Sequence, residues 1–373
     1  MSVPLAFYAP LKSPDHPSPS GDRTMARLLL AALGRAGFAC EIASTLRILD
    51  LAGDADRQAQ LRDASLAEAG RLLSHWRERP ASDRPRAWFT YHVYYKAPDW
   101  LGPVVAEALG IPYFVAEGSR ARKRAEGPWA LGHRGAEAAL DRADLVFAMT
   151  ANDRVALERD RPERQRIVDL PPFVESVPPV TAVRSGGRRL LTVAMMRPGD
   201  KLASYRLLAD SLSALGARAW TLDVVGDGEA WGAVEAMFTS LGPRVRFHGR
   251  LDDPSALGAL YDASDILVWP AVNEAYGMAL LEAQAHGCPV VAGSYGGVTS
   301  VVRHGETGLV TPPGDTGAFA RAIACLLDDP SLRHRLGVCA RATVAREHTL
   351  DAAARRLRTA IEPLLAPELA PCA

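Results

Sequence analysis

Two glutamates eight residues apart, Glu274 and Glu282, mark the densest chemistry in the chain, within the stretch NEAYGMALLE from Asn273 to Glu282. On one continuous helix that spacing would leave the two carboxylates about 80° apart. Gly277 lies between them, and glycine is costly inside a helix but common where backbone must come close to a ligand. The stretch therefore reads as a loop carrying Glu274 after a buried strand, Asp265 to Pro270 (DILVWP), and then a helix carrying Glu282. A helix N-terminus presents unpaired N–H groups and partial positive charge, which suit a phosphate. Carboxylates on either side of it can accept hydrogen bonds from hydroxyls. Phosphate flanked by hydroxyls is the chemistry of a sugar nucleotide.

Other residues complete such a site. Arg197 and Lys201 follow the strand LLTVAMM and open a helix, and two cations at a strand-to-helix turn suit a diphosphate. The chain has only four lysines, Lys12, Lys96, Lys123 and Lys201, so a lysine at this turn is not a product of abundance. Gly226–Asp227–Gly228 ends the strand of LDVVGDGEA, a weak signal that is often only a tight turn. Gly249 ends VRFHGR, where a base could stack or bond to backbone, and His248 beside it reads as a satisfied loop histidine. Gly296 and Gly297 offer another backbone-only surface before an expected helix start at Thr299 or Ser300.

In the first half of the chain, Gly21 closes the loop after the first strand, immediately before a helix. His92 follows the strand AWFTY among Tyr91, Tyr94, Tyr95 and Trp100, a setting suited to sugar or lipid contact. Glu117 ends the strand PYFVA, and Arg120, Arg122, Lys123 and Arg124 then make a basic run. Such a run is usually a solvated face, but it can also meet an acceptor phosphate or anionic lipid headgroups. Asp54–Ala–Asp56 has the Asp-x-Asp form of metal-dependent transferases, yet it lies in a polar stretch before a helix rather than after a buried strand, and reads as coincidence. No metal site is expected.

These residues need strands that end beside helix starts. The first half supplies strand candidates at Leu5–Tyr8, Cys40–Ala43, Trp88–Tyr91, Tyr113–Ala116, Leu145–Met149 and Ile167–Leu170. Helical patterns alternate with them, such as Met25, Leu28, Leu29, Ala32, Leu33 and Ala36, spaced for one buried face. After the proline-rich segment Pro171–Gly187 the alternation restarts with Leu190–Ala194, Leu222–Val225, Val245–Phe247, Ile266–Trp269, Val290–Ala292 and Leu309–Thr311. Short strands separated by helices imply right-handed crossovers and parallel sheets. The expected architecture is α/β, two doubly wound Rossmann-like domains facing a central cleft, because open α/β sheets bind ligands beyond the carboxyl ends of their strands.

Composition narrows the class. At 373 residues the chain exceeds the size at which one core usually splits, and 48% hydrophobic with 23% charged residues is ordinary for a soluble enzyme. With 43 residues of each sign the net charge is zero, so nothing proposes a nucleic acid partner. The five cysteines have no close pairs and no zinc spacing, which suits a reducing cytoplasm. No apolar run approaches the ~20 residues that cross a bilayer, so any membrane contact is expected to be peripheral, at the inner face.

The C-terminal half resembles the retaining glycosyltransferases of family 4, which have the GT-B fold. The resemblance rests on NEAYGMALLEAQAHGCPVVAGSYGGVTSVVRHGETGLVTPPGD, from Asn273 to Asp315, with LDVVGDGEA and VRFHGRLDDPSALGALYDASDILVWP upstream. It implies an N-terminal acceptor-binding domain over 1–172, a linker over 173–187, and a C-terminal nucleotide-sugar-binding domain over 188–346. A C-terminal helix within 347–373 can pack back on the first domain. It implies that Glu282 holds the ribose hydroxyls and that Glu274 contacts the transferred sugar, with the backbone at Tyr276 and Gly277 beside sugar and phosphate. Arg197 and Lys201 would bind the diphosphate, with Gly226 and Gly249 lining the donor and Gly21 touching it from the other domain. The implied reaction is retaining and metal-independent, without a cofactor, from a nucleoside-diphosphate sugar to a glycan or lipid-linked acceptor of the cell surface. Three positions depart from the pattern. Tyr276 stands where phenylalanine is usual, Lys201 follows Arg197 by one residue fewer than is typical and precedes Leu202 rather than glycine, and Glu117 stands where a functional histidine is frequent. Either Glu117 or His92 would then serve the catalytic role of that histidine. The competing readings are a non-catalytic nucleotide-sugar-binding protein of the same fold and a related sugar-nucleotide epimerase.

Overall fold

The structure, a computed structural model, describes residues 2–18, 20–179, 186 and 188–365. Two compact units divide it, one made of the chain up to Pro171 together with Leu350 onward, the other of Pro172–Thr349.

Unit 1 alternates β1 (Val3–Tyr8), α1 (Gly21–Arg35), β2 (Phe38–Ser44), α2 (Ala55–Glu78), β3 (Trp88–Val93), α3 (Gly102–Leu109), β4 (Tyr113–Gly118), α4 (Ala130–Arg142), β5 (Leu145–Ala148), α5 (Ala151–Arg159) and β6 (Arg166–Asp169). Unit 2 continues with β7 (Arg189–Val193), α6 (Asp200–Ser213), β8 (Thr221–Val225), α7 (Trp231–Phe238), β9 (Val245–Gly249), α8 (Pro254–Ala263), β10 (Ile266–Trp269), α9 (Met278–Ala285), β11 (Val290–Gly293), β12 (Gly308–Thr311), α10 (Thr316–Asp328) and α11 (Pro330–Glu347). The last helix, α12 (Leu350–Leu365), returns to unit 1 and packs on α1. Every strand foreseen from the sequence is present. The α-helix expected at Thr299 or Ser300 is not; Val298–Ser300 forms a single 3-10 turn.

Both sheets are six-stranded and parallel. Their central strands are buried on both faces, which is why they read as unbroken apolar runs rather than alternating ones. In unit 1 the order β2-β1-β3-β4-β5-β6 reverses direction between β1 and β3. In unit 2 the order β12-β11-β10-β7-β8-β9 reverses between β7 and β10. At such a reversal the helices leave on opposite faces of the sheet, and a crevice opens beyond the strand ends. Strand order, which no periodicity reveals, thus selects two strand-end pairs as ligand positions.

The core of unit 1 is aromatic. Phe7 stacks on Phe89 at 5.8 Å, Phe89 meets Phe147 at 5.9 Å, and Trp76 meets Trp88 edge-on at 6.0 Å. Buried Asp99 accepts from Thr90 Oγ1, Tyr113 Oη and the amides of Leu101 and Gly102, at 2.6–2.9 Å. This satisfied network is structural. Asp54, of the Asp-x-Asp coincidence, caps α2 by accepting from the amides of Asp56 and Arg57.

The first residues of the expected 173–187 linker are held by unit 2. Phe173 is buried, the Val174 amide donates to His348 O at 2.9 Å, and Arg341 bonds Pro178 O. Residues 180–185 and 187 lie outside the described residues, as does Cys372. Cys40, Cys288, Cys325 and Cys339 are free thiols, and burial pushes Cys40 up to about 12.

Candidate functional site

At the reversal point of unit 2, Lys201 leaves the second position of α6 and Glu274 leaves the loop after β10. Their side chains form an ion pair. Trp269, the last residue of β10, donates its indole N–H to the same carboxylate at 3.3 Å and lies 5.5 Å beneath the Lys201 ammonium. The pair is a quarter exposed or less on both sides, so it is reachable from solvent. Both adjoining helices begin without a side-chain cap: α6 after Gly199 at φ 80°, and α9 after Gly277 at φ 72°. Uncapped first turns leave backbone donors for a ligand. Asn273 ties the two loops together through its amide N–H to Asp200 Oδ1 at 2.9 Å, and Ser204 Oγ accepts from the Val272 amide at 2.9 Å.

Glu282 stands on α9 and receives the hydroxyl of buried Tyr261 at 2.8 Å. Burial raises the Glu282 carboxyl above its ordinary range, against the lowering effect of that hydrogen bond. Tyr261 is itself braced by stacking on His286 at 5.2 Å, and His286 bonds Asp262 at 2.7 Å.

The glycines of unit 2 do different work at each position. A methyl group at Gly226, where φ is 148°, would sit 1.9 Å from Ala194 O, and one at Gly228 would sit 2.3 Å from Met196 O. These glycines let the loops after β7 and β8 lie backbone against backbone, joined by Ala194 N to Val225 O at 3.0 Å and Met196 N to Asp227 O at 2.9 Å. Gly296 does the same against Glu274 O, 2.1 Å from where its Cβ would be, and so fixes the loop that carries Glu274. Gly249 at φ 68° and Gly21 both face open space. Arg197 is exposed, whereas Tyr276 is buried. His248 lies in β9 itself and pairs with Asp223 at 2.7 Å.

Unit 1 places a second group at its own reversal point. His92 at φ 65° and Glu117 at φ 59° stand next to last in the neighbouring strands β3 and β4, in left-handed backbone that non-glycine residues rarely adopt. Such conformations cost on the order of 1–3 kcal/mol each and persist where the surroundings over-determine them. His92 Nδ1 lies 3.1 Å from Asp22 Oδ1 and 3.9 Å from Glu117 Oε2. Burial alone would lower the imidazole, but Glu117 and Asp22 outweigh it and push His92 up to about 9. Burial raises Glu117 despite His92 and a hydrogen bond from Tyr91. Burial also opposes ionisation of Asp22, yet the His92 hydrogen bond and charge hold that carboxyl below its usual range. Tyr94 covers the imidazole at 4.9 Å, and burial followed by the Asp22 charge pushes its hydroxyl up to about 12.

Trp100, expected beside His92, instead lies against Gly135 of α4, where no Cβ could fit. The basic run also disperses. Arg120 is buried between Glu137 and Asp141, Arg122 pairs with Asp160, and Arg124 stacks on Trp129 at 4.8 Å. Asp22, Trp269 and Tyr261 were missed as candidates. Asp22 was signalled by its place after Gly21 in a first helical turn and Trp269 by ending a buried strand, whereas Tyr261, on the preceding helix, gave no local sign.

Residues 187–329 match the family model described as Glycosyl transferases group 1. Over 96 residues the chain is 46% identical to a D-inositol 3-phosphate glycosyltransferase of Corynebacterium glutamicum, a stretch covering 25% of this chain and 22% of that relative. Among solved structures, sucrose-phosphate synthase from Thermosynechococcus elongatus superposes with TM-score 0.74 at 20% identity, over 97% of this chain and 99% of that one. Anabaena Alr3699/HepE in complex with UDP superposes with TM-score 0.72 at 16% identity, over 97% and 100%. The fold is GT-B. Within it, the Lys201–Glu274 pair belongs to the half that the glycosyl transferases group 1 model matches, and the His92 group belongs to the other. Among the described residues no group of three or more His, Cys, Asp or Glu is arranged to hold a metal ion, and no helix is long and apolar enough to cross a membrane.

Proposed function

We propose that this GT-B protein is a retaining, metal-independent glycosyltransferase of family 4 that moves a sugar from a nucleoside-diphosphate sugar to a glycan or lipid-linked acceptor of the cell surface. The observation that carries the reading is the Lys201–Glu274 pair over Trp269, set at the sheet reversal between two uncapped helix starts. A diphosphate brings negative charge that an ammonium and free backbone donors can neutralise, and the charge grows as the phosphate leaves. When phosphate takes Lys201, Glu274 is released to accept hydrogen bonds from the hydroxyls of the transferred sugar. Arg197, exposed and four residues before Lys201, adds a second cation. Glu282 keeps one carboxylate oxygen on Tyr261 and offers the other to the ribose hydroxyls. The bond from the anomeric carbon to the diphosphate breaks, the bond to the acceptor oxygen forms on the same face, and the leaving phosphate takes the acceptor's proton.

That the UDP-bound HepE shares the fold supports a nucleotide donor, and the family match over 187–329 supports the sugar transfer. Cytoplasmic work on a lipid-linked acceptor would bring the protein to the membrane face only as a peripheral visitor. The test is thermal-shift screening against a panel of nucleotide sugars, followed by transfer assays with the donor that stabilises, since a ligand binding only the native state raises its apparent stability. No stabilisation by any nucleotide or nucleotide sugar would remove the donor site. Sugar release without acceptor separates a competent enzyme from a non-catalytic binder.

A further inference from the structure

The carboxylate clamp on His92 has a chemical meaning beyond donor binding. Three elements converge on this one ring. Asp22 comes from the first turn of α1, where the helix N-terminus favours a negative charge. Glu117 comes from the end of β4, and Asp153 of α5 adds a third negative charge nearby. Both Asp153 oxygens are occupied, by Ser119 and Thr150 at 2.6 Å each, so it contributes field rather than a bond. Tyr91 hydrogen-bonds Glu117 and Tyr94 is neutral at this edge, while Lys12 and Arg47 act on Asp22 and Tyr94 respectively. Asp22 and Glu117 both approach the same nitrogen, Nδ1. The other, Nε2, has no hydrogen-bond partner among the described residues, and the side chain is 17% exposed.

We infer that Asp22 and Glu117 clamp His92 as a fixed imidazolium, so that Nε2–H serves as a permanent donor to a substrate oxygen and His92 is never the proton acceptor of the reaction. Asp22 and Glu117 are positioning residues that act through the ring, and the two left-handed strand ends are what bring their partners into reach. The charge state stands on this geometry alone, while the identity of the substrate oxygen rests on the transferase reading. A histidine facing one carboxylate and solvent would still titrate near neutrality and could serve as a base. A second, buried carboxylate on the same nitrogen removes that option.

The test follows the imidazole directly, by two-dimensional proton–nitrogen NMR of histidine-labelled protein, with His92→Gln identifying the signal. In the native chain the His92 midpoint is expected near 9. Glu117→Gln and Asp22→Asn should each lower it by about one pH unit or more, a tenfold change in proton affinity per unit. A native midpoint at or below about 6.5, the ordinary histidine value, overturns the proposal whatever the protein's activity. If Glu117→Gln does not fold, Asp22→Asn, at the half-buried first turn of α1, carries the same reading. The second arm is the pH profile of transfer. Activity flat from pH 6 to 8, with an alkaline loss that moves toward neutrality in Glu117→Gln, supports a fixed donor. Activity that rises through neutrality with a limb abolished in His92→Gln means that His92 is a base, and the inference fails. Absence of any transfer would count against the proposed function and leave the NMR arm to decide the charge state.

Discussion

The two sheet reversals solve the same geometric problem with opposite materials. In unit 2 the strand-end loops are shaped by glycines that allow backbone to lie on backbone, at Gly226, Gly228 and Gly296, and the side chains left over form one near-neutral pair, Lys201 with Glu274. In unit 1 the strand ends His92 and Glu117 take left-handed backbone without glycine, and three carboxylates surround one imidazole. The first is a rigid cradle whose charge is balanced before a ligand arrives. The second stores conformational strain and an uneven field. A cradle of backbone suits a constant ligand part such as a diphosphate, whereas a strained charged cluster suits the part that varies.

The contrast breaks most readily at Gly226. Gly226→Ala should destabilise unit 2 by more than about 3 kcal/mol, because its Cβ would collide with a carbonyl and its φ is disallowed. A denaturation midpoint near that of the native chain would mean the cradle is not built on backbone contact. Next come the charges. Lys201→Ala or Glu274→Gln should lower turnover by roughly 100-fold or more, as expected for groups facing developing charge. Stability should fall by no more than about 1 kcal/mol, since the pair is partly exposed. A large drop in melting temperature with turnover preserved would reverse the roles of the two regions.

Glu282→Gln should weaken donor binding about tenfold, measured by calorimetry, while leaving stability equal or slightly higher. Burial raises the native carboxyl, so its ionisation opposes folding at neutral pH, and the amide removes that cost. On the unit 1 side, His92 is raised above its unfolded value, so the stability it adds is fully present below about pH 6.5 and lost as pH climbs through about 9. Melting temperatures from pH 7 to 9.5 should therefore fall more in the native chain than in His92→Gln. The smallest effect belongs to Gly21→Ala. Open space and a helical position predict a gain of about 0.5–1 kcal/mol, so any lost turnover would come from ligand contact alone.

How much of this could be read from the chain depends on what encodes each part. The twelve strands were legible because buried parallel strands are short apolar runs between turn residues. Glu274, Gly277 and Glu282 were legible because a local spacing places them on a loop and the helix that follows. The failures are non-local. A helix was expected after Gly297, but the chain makes only the turn Val298–Ser300 before Val301 and Val302 are drawn into the core. The run Arg120–Arg124 looked like a free basic face, yet acids 17 to 38 residues away claim two of its arginines. The Asp22–His92 hydrogen bond spans 70 residues and depends on β1 lying beside β3, a fact held only by strand order.

The return of α12 to α1 bears on how the molecule comes into being. The helix buries Ala353, Leu357, Ala360 and Ile361, and Asp351 bonds Arg35 at 2.9 Å. Domains generally fold in the order in which they leave the ribosome. Here unit 1 is begun before Pro172–Thr349 and completed only after all of that segment has been synthesised. Unit 2 is thus a continuous insert that can be cut out as one segment. Unit 1 cannot be obtained by stopping translation before α12, because its nascent form waits with an apolar stripe on α1 uncovered until that helix is made.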